Sequence, residues 1–590
     1  MQYNILVDCY EKLEKTSKRL EKTDIIADVL RKTGIEDIDV TLLLLQGKLF
    51  PDWDERKIGV AARLIIKAIN VSTGVDANKV EDEWKKTGDL GLVAENLIST
   101  KKQHTLFSRE LTVKKVFENL RKLAELEGSG TVDKKMQLIA ELLTSANSKE
   151  AKYIVRTILG ELRVGVGSGS LRDSIVWAYT DSGVKYDKAT NSIVIPENNR
   201  EKYNQYIGMV QHAYDLINEF SVVVKKLKEH KIEGLGKIEF SPGKPINVML
   251  YQKAKDIADA FETVGKPAAL EYKYDGFRLQ VHKTEKGILL FTRRLENVTK
   301  QFPEVVEYAK NNIKGNSFIL DAEAVGFDSK TGKYQPFQNI SQRIRRKYDI
   351  EKMSKELPVE LNIFDIIFYE GKSMINEPFK ERRKLLEKIV TQKTKKIVLA
   401  KQIITDDLKK AEKFYNESLE SGEEGIMVKN LDGIYKPGSR VGYGVKVKPV
   451  MESLDLVITG AEWGEGKRSG WLTSFNLSCW DKGKLLEIGK VGTGIKELEG
   501  EGVSFLELTR LLKPLITKEK GKEVSVKAKI IIEVDYEEIQ RSPTYSSGFA
   551  LRFPRLVRLR NDKPLNEISS ISYIKKLYEQ QGRTGREKDK

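Results

Sequence analysis

The chain has 590 residues, 40% hydrophobic and 32% charged, with a net charge of +16 and a pI near 9.2. That length exceeds one core and predicts three or four domains of a soluble, highly charged protein, with no apolar run long enough to span a bilayer. Four histidines and two distant cysteines, Cys9 and Cys479, argue against histidine-dependent triads, a disulfide framework and zinc chemistry, and point to a reducing compartment. The N-terminal Met1-Gln2-Tyr3-Asn4 lacks the basic flank and apolar core of a secretory signal. The basic balance favours a polyanionic partner, nucleic acid before membrane, although codon bias or heat adaptation would give the same charge.

From the start to about Leu216 the apolar residues recur at helical intervals, as in Ile5, Tyr10, Leu13, Leu20, Ile25 and Val29, and again over Leu111–Leu126 and Met136–Leu143. Gly128-Ser129-Gly130-Thr131 and Arg163-Val-Gly165-Val-Gly167-Ser-Gly169-Ser170 break the helices. The second turn leads into a helix from Leu171 and is flanked by Arg156, Arg163 and Arg172. Such a turn contacts a phosphate backbone or simply caps helices, and the residues alone leave both readings open. Residues 231–247, rich in Gly and Pro, read as a linker. Strands and helices alternate to about Val447, and short strands then suggest a small β-barrel: Leu454–Ile458, Phe475–Leu477 and Ile530–Val534. A last helix over about Ser570–Gln580 precedes a charged tail expected to be disordered.

The stretch Glu271-Tyr-Lys273-Tyr-Asp275-Gly276 anchors the centre. Leu270, Tyr272 and Tyr274 alternate with Glu271, Lys273 and Asp275, which predicts a strand with one packed and one wet face. After Gly276 the parity flips to Phe277, Leu279 and Val281, as a tight turn or bulge would make it. No Gly-x4-Gly-Lys-Ser/Thr is present, and the Gly165 cluster follows a helix rather than a strand, so neither common phosphate fingerprint applies. Instead, strands bring Thr292-Arg293, Asp321-Ala-Glu323, Phe364-Asp365, Glu424-Gly-Ile-Met-Val-Lys429, Arg440 and Lys446-Val-Lys448. Carboxylates inside apolar strands require a cation or a partner. Together the set offers a nucleophile, carboxylates for a hard divalent cation, an aromatic platform and cations for phosphate.

In order and spacing these motifs resemble those of covalent nucleotidyltransferases, most closely ATP-dependent DNA ligases of the archaeal and eukaryotic replicative type. Ser547-Gly-Phe-Ala-Leu-Arg552-Phe-Pro-Arg555, running into Arg558-Leu-Arg560-Asn-Asp562-Lys563, is similar to the family's last motif. The resemblance covers nearly the whole chain, with one departure. The family often has tryptophan two residues before the first lysine of Lys446-Val-Lys448, and here that residue is Gly444.

The resemblance implies a multidomain fold. An all-α DNA-binding domain (1–235) would precede an α+β nucleotidyltransferase (adenylation) domain (245–448) and a β-barrel OB-fold domain with C-terminal helix and tail (449–590). Lys273 would attack the α-phosphate of ATP to give a lysine–AMP adduct. AMP would pass to a 5′-phosphate at a nick, and the 3′-hydroxyl would displace it. Glu271 would accept from the adenine amino group and Phe364 would stack on the base. Arg278 and Glu323 would contact ribose or phosphate; Arg293, Arg440, Lys446 and Lys448 would bind phosphate. Glu323 and Glu424 would neighbour Mg2+, with Mn2+ as an alternative. Arg560 and Lys563 would orient pyrophosphate from a barrel that swings over the site. Whether nearby cations or acids win at Lys273 is left to distances. Nicked duplex DNA is the implied partner of a monomer in the cytoplasm or nucleoid, with a sliding clamp as a further candidate. RNA ligases and capping enzymes share the central motifs but not the large helical N-terminal part. Relatives using ADP, GTP or NAD+ keep the donor open.

Overall fold

Helical periodicity at the start of the chain becomes twelve α-helices among the described residues between Tyr3 and His230, with a short hairpin, Lys185–Asp187 with Ser192–Val194, and a 3-10 turn, Glu197–Asn199, between them. The computed structural model describes residues 1–583 apart from 101–109, 127, 129, 345–347, 450, 465–467, 469, 498 and 501. The expected charged tail beyond Arg583, and Ser129 of the first Gly-rich turn, lie outside the described residues. No helix among those described is long and apolar enough to cross a membrane.

Helix Ser148–Leu159 shows how local sequence sets these elements. Asn147 and Glu150 form a capping box, and Gly160 ends the helix in the left-handed region at φ +69°. Its Arg156 is buried against Glu14 and Asp89, so this arginine is a structural tie and not a free phosphate ligand. Arg172 is likewise engaged by Asp173 and Gln211. The helix after the Gly165 turn begins at Ser168, three residues before Leu171. The expected linker is not slack: Ile232–Lys237 forms a 3-10 turn, and Leu235, Phe240 and Ile246 are buried. Phe240 meets Phe368 at 5.9 Å, and the helical core continues into Ile319, Ile367 and Phe368.

The central part holds ten strands that build the site: β1 (Leu250–Lys253), β2 (Ala268–Tyr272), β3 (Phe277–Thr284), β4 (Gly287–Thr292), β5 (Phe318–Gly326), β6 (Val359–Tyr369), β7 (Ile397–Leu399), β8 (Gln402–Thr405), β9 (Ile426–Asn430) and β10 (Arg440–Val447). They form two sheets. One runs β7-β6-β5-β3-β4, with the short strand Lys372–Ser373 on β6; the other runs β8-β2-β9-β10-β1. β2 and β3 belong to different sheets, so Asp275-Gly276 is neither a hairpin turn nor a bulge. It is where the chain crosses between sheets. Gly276 is required there, because a Cβ would lie 2.4 Å from the Ala324 carbonyl oxygen. The expected wet face of β2 is also corrected: Ala268 to Tyr272 are all buried, with Glu271 turned toward an internal cavity.

After residue 449 come β11 (Leu454–Trp463), β12 (Leu472–Asp481), β13 (Lys484–Val491), β14 (Ile516–Lys520), β15 (Glu523–Val526), β16 (Ile531–Asp535), β17 (Glu538–Arg541), β18 (Phe549–Arg552) and β19 (Arg555–Leu559), then helix Ile571–Arg583. The backbone pairs run β13-β12-β11-β15-β14, while β16 joins β11 to β19 and β17 pairs β18. The expected barrel is not closed by these pairs among the described residues. The sheet forks at β11, whose first half pairs β16 and whose second half pairs β15, on either side of a register shift at Ile458/Gly460.

Candidate active site

A cavity of about 870 Å³ is lined by residues of both central sheets. Strand parity explains the set. On β2, β9 and β10 the ladder aligns Glu271 with Met427 and Met427 with Lys446, so these side chains share one face, which is also the face of Lys429 and Gly444. Lys273 follows β2 at the crossing point. Its N–H donates to the Gly425 carbonyl (2.8 Å) and its carbonyl accepts from the Glu424 N–H (2.9 Å), which ties the lysine to the start of β9.

The charges around Lys273 settle its protonation. Glu424 Oε2 is 2.6 Å from Lys273 Nζ and 2.5 Å from Lys448 Nζ. Burial pulls the Lys273 ammonium down, but the carboxylates of Glu424, Glu323 and Asp275 outweigh it, and its pKa is raised. Burial opposes ionisation of Glu424 too, yet Lys273 and Lys448 overcome it and hold its carboxyl at about 2. Glu323 has no such dominant partner: burial lifts it to about 7, against the pull of Lys273 and Arg278. Lys446 is pushed down by burial and by the ammonium groups of Lys448 and Lys273. The acids win, and Lys273 is an ammonium.

The expected site residues divide clearly. Glu271, Lys273, Arg278, Arg293, Glu323, Phe364, Glu424, Arg440, Lys446 and Lys448 all line the cavity. Arg560 and Lys563 do not; both bind Asp455, at 2.7 and 2.5 Å, on the C-terminal part. Glu271 already faces Lys429 (2.5 Å) and accepts from Gln402 Nε2 (2.8 Å). Arg278 spends most of its donors on Asp321, the Met249 carbonyl and the Tyr435 hydroxyl, so it braces the wall more than it reaches into the space. Asp365 turns away to a buried pair with Arg382 (2.7 Å), which fixes helix Phe379–Ile389 to β6 and so fixes Phe364. Lys429 and Arg278 lie 4.9 and 5.3 Å from the Phe364 ring centre. Sequence reading did not assign a role to Lys429, although Met427 and Lys429 share the strand parity that could have found it. It missed Tyr251 and Glu537, and it named Arg552 and Phe553 only within the last motif; Glu537, Arg552 and Phe553 reach the cavity from the C-terminal part. Only long-range packing brings those residues there.

No group of three or more His, Cys, Asp or Glu able to hold a metal occurs among the described residues. Five glutamates line the cavity, Glu271, Glu296, Glu323, Glu424 and Glu537, and of these Glu323 and Glu424 act on the Lys273 ammonium. That pair fits a hard cation shared with substrate phosphates, not an all-protein cage.

Family models match the chain in three consecutive parts: DNA ligase N terminus over 2–176, ATP dependent DNA ligase domain over 248–448, and ATP dependent DNA ligase C terminal region over 468–563. A DNA ligase of Nanoarchaeum equitans is 49% identical over 98% of this chain and 99% of its own length. One from Thermococcus onnurineus is 43% identical over 99% of each. Among solved structures, Pmar-Lig_PreS3 shares the fold at a TM-score of 0.54 and 17% identity, over 94% of this chain and 99% of that one. Matched from end to end by these relatives, and by family models for its helical, two-sheet and strand-rich parts in order, the chain belongs to the ATP-dependent DNA ligase family.

Proposed function

We propose that the cavity binds ATP, that Lys273 is the nucleophile of the ligase reaction, and that nicked duplex DNA is the acceptor. Lys273 Nζ forms a bond to the α-phosphorus as the bond from that phosphorus to the bridging oxygen breaks, and pyrophosphate leaves. The 5′-phosphate of the nick then takes AMP from Lys273, breaking the N–P bond. The 3′-hydroxyl oxygen attacks that 5′-phosphate, and AMP departs. The observation carrying this reading is Lys273 itself, fixed at a sheet-to-sheet crossing with Glu424 2.6 Å from its Nζ.

The side chains support distinct tasks. Glu271, held by Lys429 and Gln402, presents a fixed carboxylate to the adenine amino group, and Phe364 supplies an apolar face to the base. Lys448, paired with Glu424, and Lys446 would meet phosphate oxygens together with the exposed Arg293 and Arg440. Lys273 is an ammonium beside these acids, so its proton must leave before attack. Glu323 and Glu424 would hold Mg2+ or Mn2+ beside the phosphates, where the cation would neutralise charge building on the α-phosphate.

The C-terminal strand unit is assigned the part of an oligonucleotide-binding domain that delivers Arg560 and Lys563 to the β- and γ-phosphates in a second arrangement, after they leave Asp455. The helical part and the strand unit would hold the duplex through its backbone with little sequence preference, as sealing at any nick requires. The test is Lys273→Ala, which should fold, form no AMP adduct, and still seal chemically pre-adenylated nicks. Wild-type levels of covalent AMP in that variant would refute the assignment.

A further inference from the structure

Gly444 is a glycine that its backbone does not demand. Its φ lies outside the left-handed region, so any residue could adopt its conformation. What excludes a side chain is Tyr251: a Cβ at 444 would lie 2.3 Å from Tyr251 Cε1 and 2.6 Å from its Cδ1. The register explains the meeting. β1 and β10 are parallel neighbours with Val445 opposite Gln252 and Lys446 opposite Lys253, which sets Gly444 beside Tyr251 on the cavity-facing side. Tyr251 stands on the edge strand β1 and leans across the gap that Gly444 leaves. Its ring lines the same cavity as Lys273, Phe364 and Lys429.

An edge-strand tyrosine has little reason to fold inward over a bare stretch of backbone unless the inward surface is used. Its neighbours there are polar and charged; Lys429, Arg278, Asp365 and Arg382 all act on its phenol. Burial keeps that phenol protonated. The ring is therefore a neutral, flat wall among charges, which matches the requirement of a purine face and not of a phosphate.

We propose that Tyr251 is a nucleotide-positioning residue, its ring occupying the place of a side chain at 444 and forming an aromatic wall of the adenosine pocket. The inference rests on the reading that ATP occupies this cavity. It assigns Tyr251 an effect on nucleotide capture, while Lys273 chemistry is left to the groups that touch phosphate.

The experiment measures lysine–AMP formation by the full-length protein against ATP concentration for wild type, Tyr251→Phe, Tyr251→Leu, Tyr251→Ala and the exchanged pair Tyr251→Ala with Gly444→Trp. Leucine keeps most of the bulk but removes the flat face, so packing and base contact separate. Tyr251→Leu should raise the ATP concentration for half-maximal rate about 5-fold or more, the low end of what an aromatic face gives a bound base. The saturating rate should fall less than this half-saturation rises. Tyr251→Phe should stay within about 2-fold of wild type, since the ring carries the effect. The exchanged pair should recover most of what Tyr251→Ala alone loses. Half-saturation in Tyr251→Leu equal to that in wild type, with the same melting temperature, would overturn the proposal and leave Tyr251 as packing. A Tyr251→Leu protein that melts early is judged on the exchanged pair, where failure to recover ATP affinity overturns it equally. Absence of any adduct in wild type would instead refute the ATP-site reading.

Discussion

Replacing Glu424 with glutamine should lower the pKa of Lys273, because it removes the carboxylate 2.6 Å from Nζ while Lys446 and Lys448 remain. Two unit charges at that distance attract by about 6 kcal/mol at an effective dielectric of about 20, an upper bound because Glu424 is shared with Lys448. Opposite charges this close shift measured pKa values by about 1–3 units. The Lys273 pKa is raised in the native site, so losing its principal acid should move the midpoint of amine reactivity down by about that amount. Competitive labelling with acetic anhydride across pH, with the Lys273 peptide quantified by mass spectrometry, reads that midpoint without requiring turnover. An unchanged or higher midpoint in Glu424→Gln would show that Glu424 does not govern Lys273, and the charge account of the site would fail.

Glu323 carries the opposite sign. Its carboxyl is raised from 4.5 to about 7, so its contribution to stability is full below about 4.5 and is lost as pH rises through about 7. Glu323→Gln should therefore raise the melting temperature at about pH 8 and leave it nearly unchanged at about pH 4.5; equal gains at both would refute the assignment. Arg382→Ala strands the buried Asp365 carboxylate and should cost about 3–5 kcal/mol in urea unfolding, and a loss under about 1 kcal/mol would contradict it. Alanine at both Arg560 and Lys563 should slow adenylation strongly and spare sealing of pre-adenylated nicks; normal adenylation with weakened nick binding would make them DNA-backbone contacts only. Nick binding should weaken steeply with salt, and a flat dependence would contradict backbone recognition by this basic chain.

The centre of the site was legible because its motifs are short and local: Glu271 and Lys273 lie two residues apart at the end of β2, Glu424 lies two residues before β9, and Lys446 and Lys448 lie two residues apart at the end of β10. What escaped depends on partners far along the chain. Asp275-Gly276 resembles a hairpin turn in sequence, and only the pairing of β2 with β9 and of β3 with β5 makes it a passage between sheets. Arg278 looked like a ligand, yet Asp321 and Tyr435 claim most of its donors. The same holds for Arg156, which Glu14 and Asp89 bury. Short β-strands predicted a barrel, but strand content does not state whether the last pair closes, and β11 shares its two halves between partners. Gly444 read as a loss in sequence; the ring of Tyr251 over it is visible only once β1 and β10 lie side by side.

The most direct measurement of the central claim is a pulse and chase. The protein is incubated with α-labelled ATP and a divalent cation, the labelled peptide is mapped, and the washed adduct is mixed with nicked DNA. The account predicts label on the peptide containing Lys273, then its transfer to the 5′ end of the nick and its release as AMP together with a sealed strand. Label on any other residue, or an adduct that nicked DNA does not discharge, would contradict it.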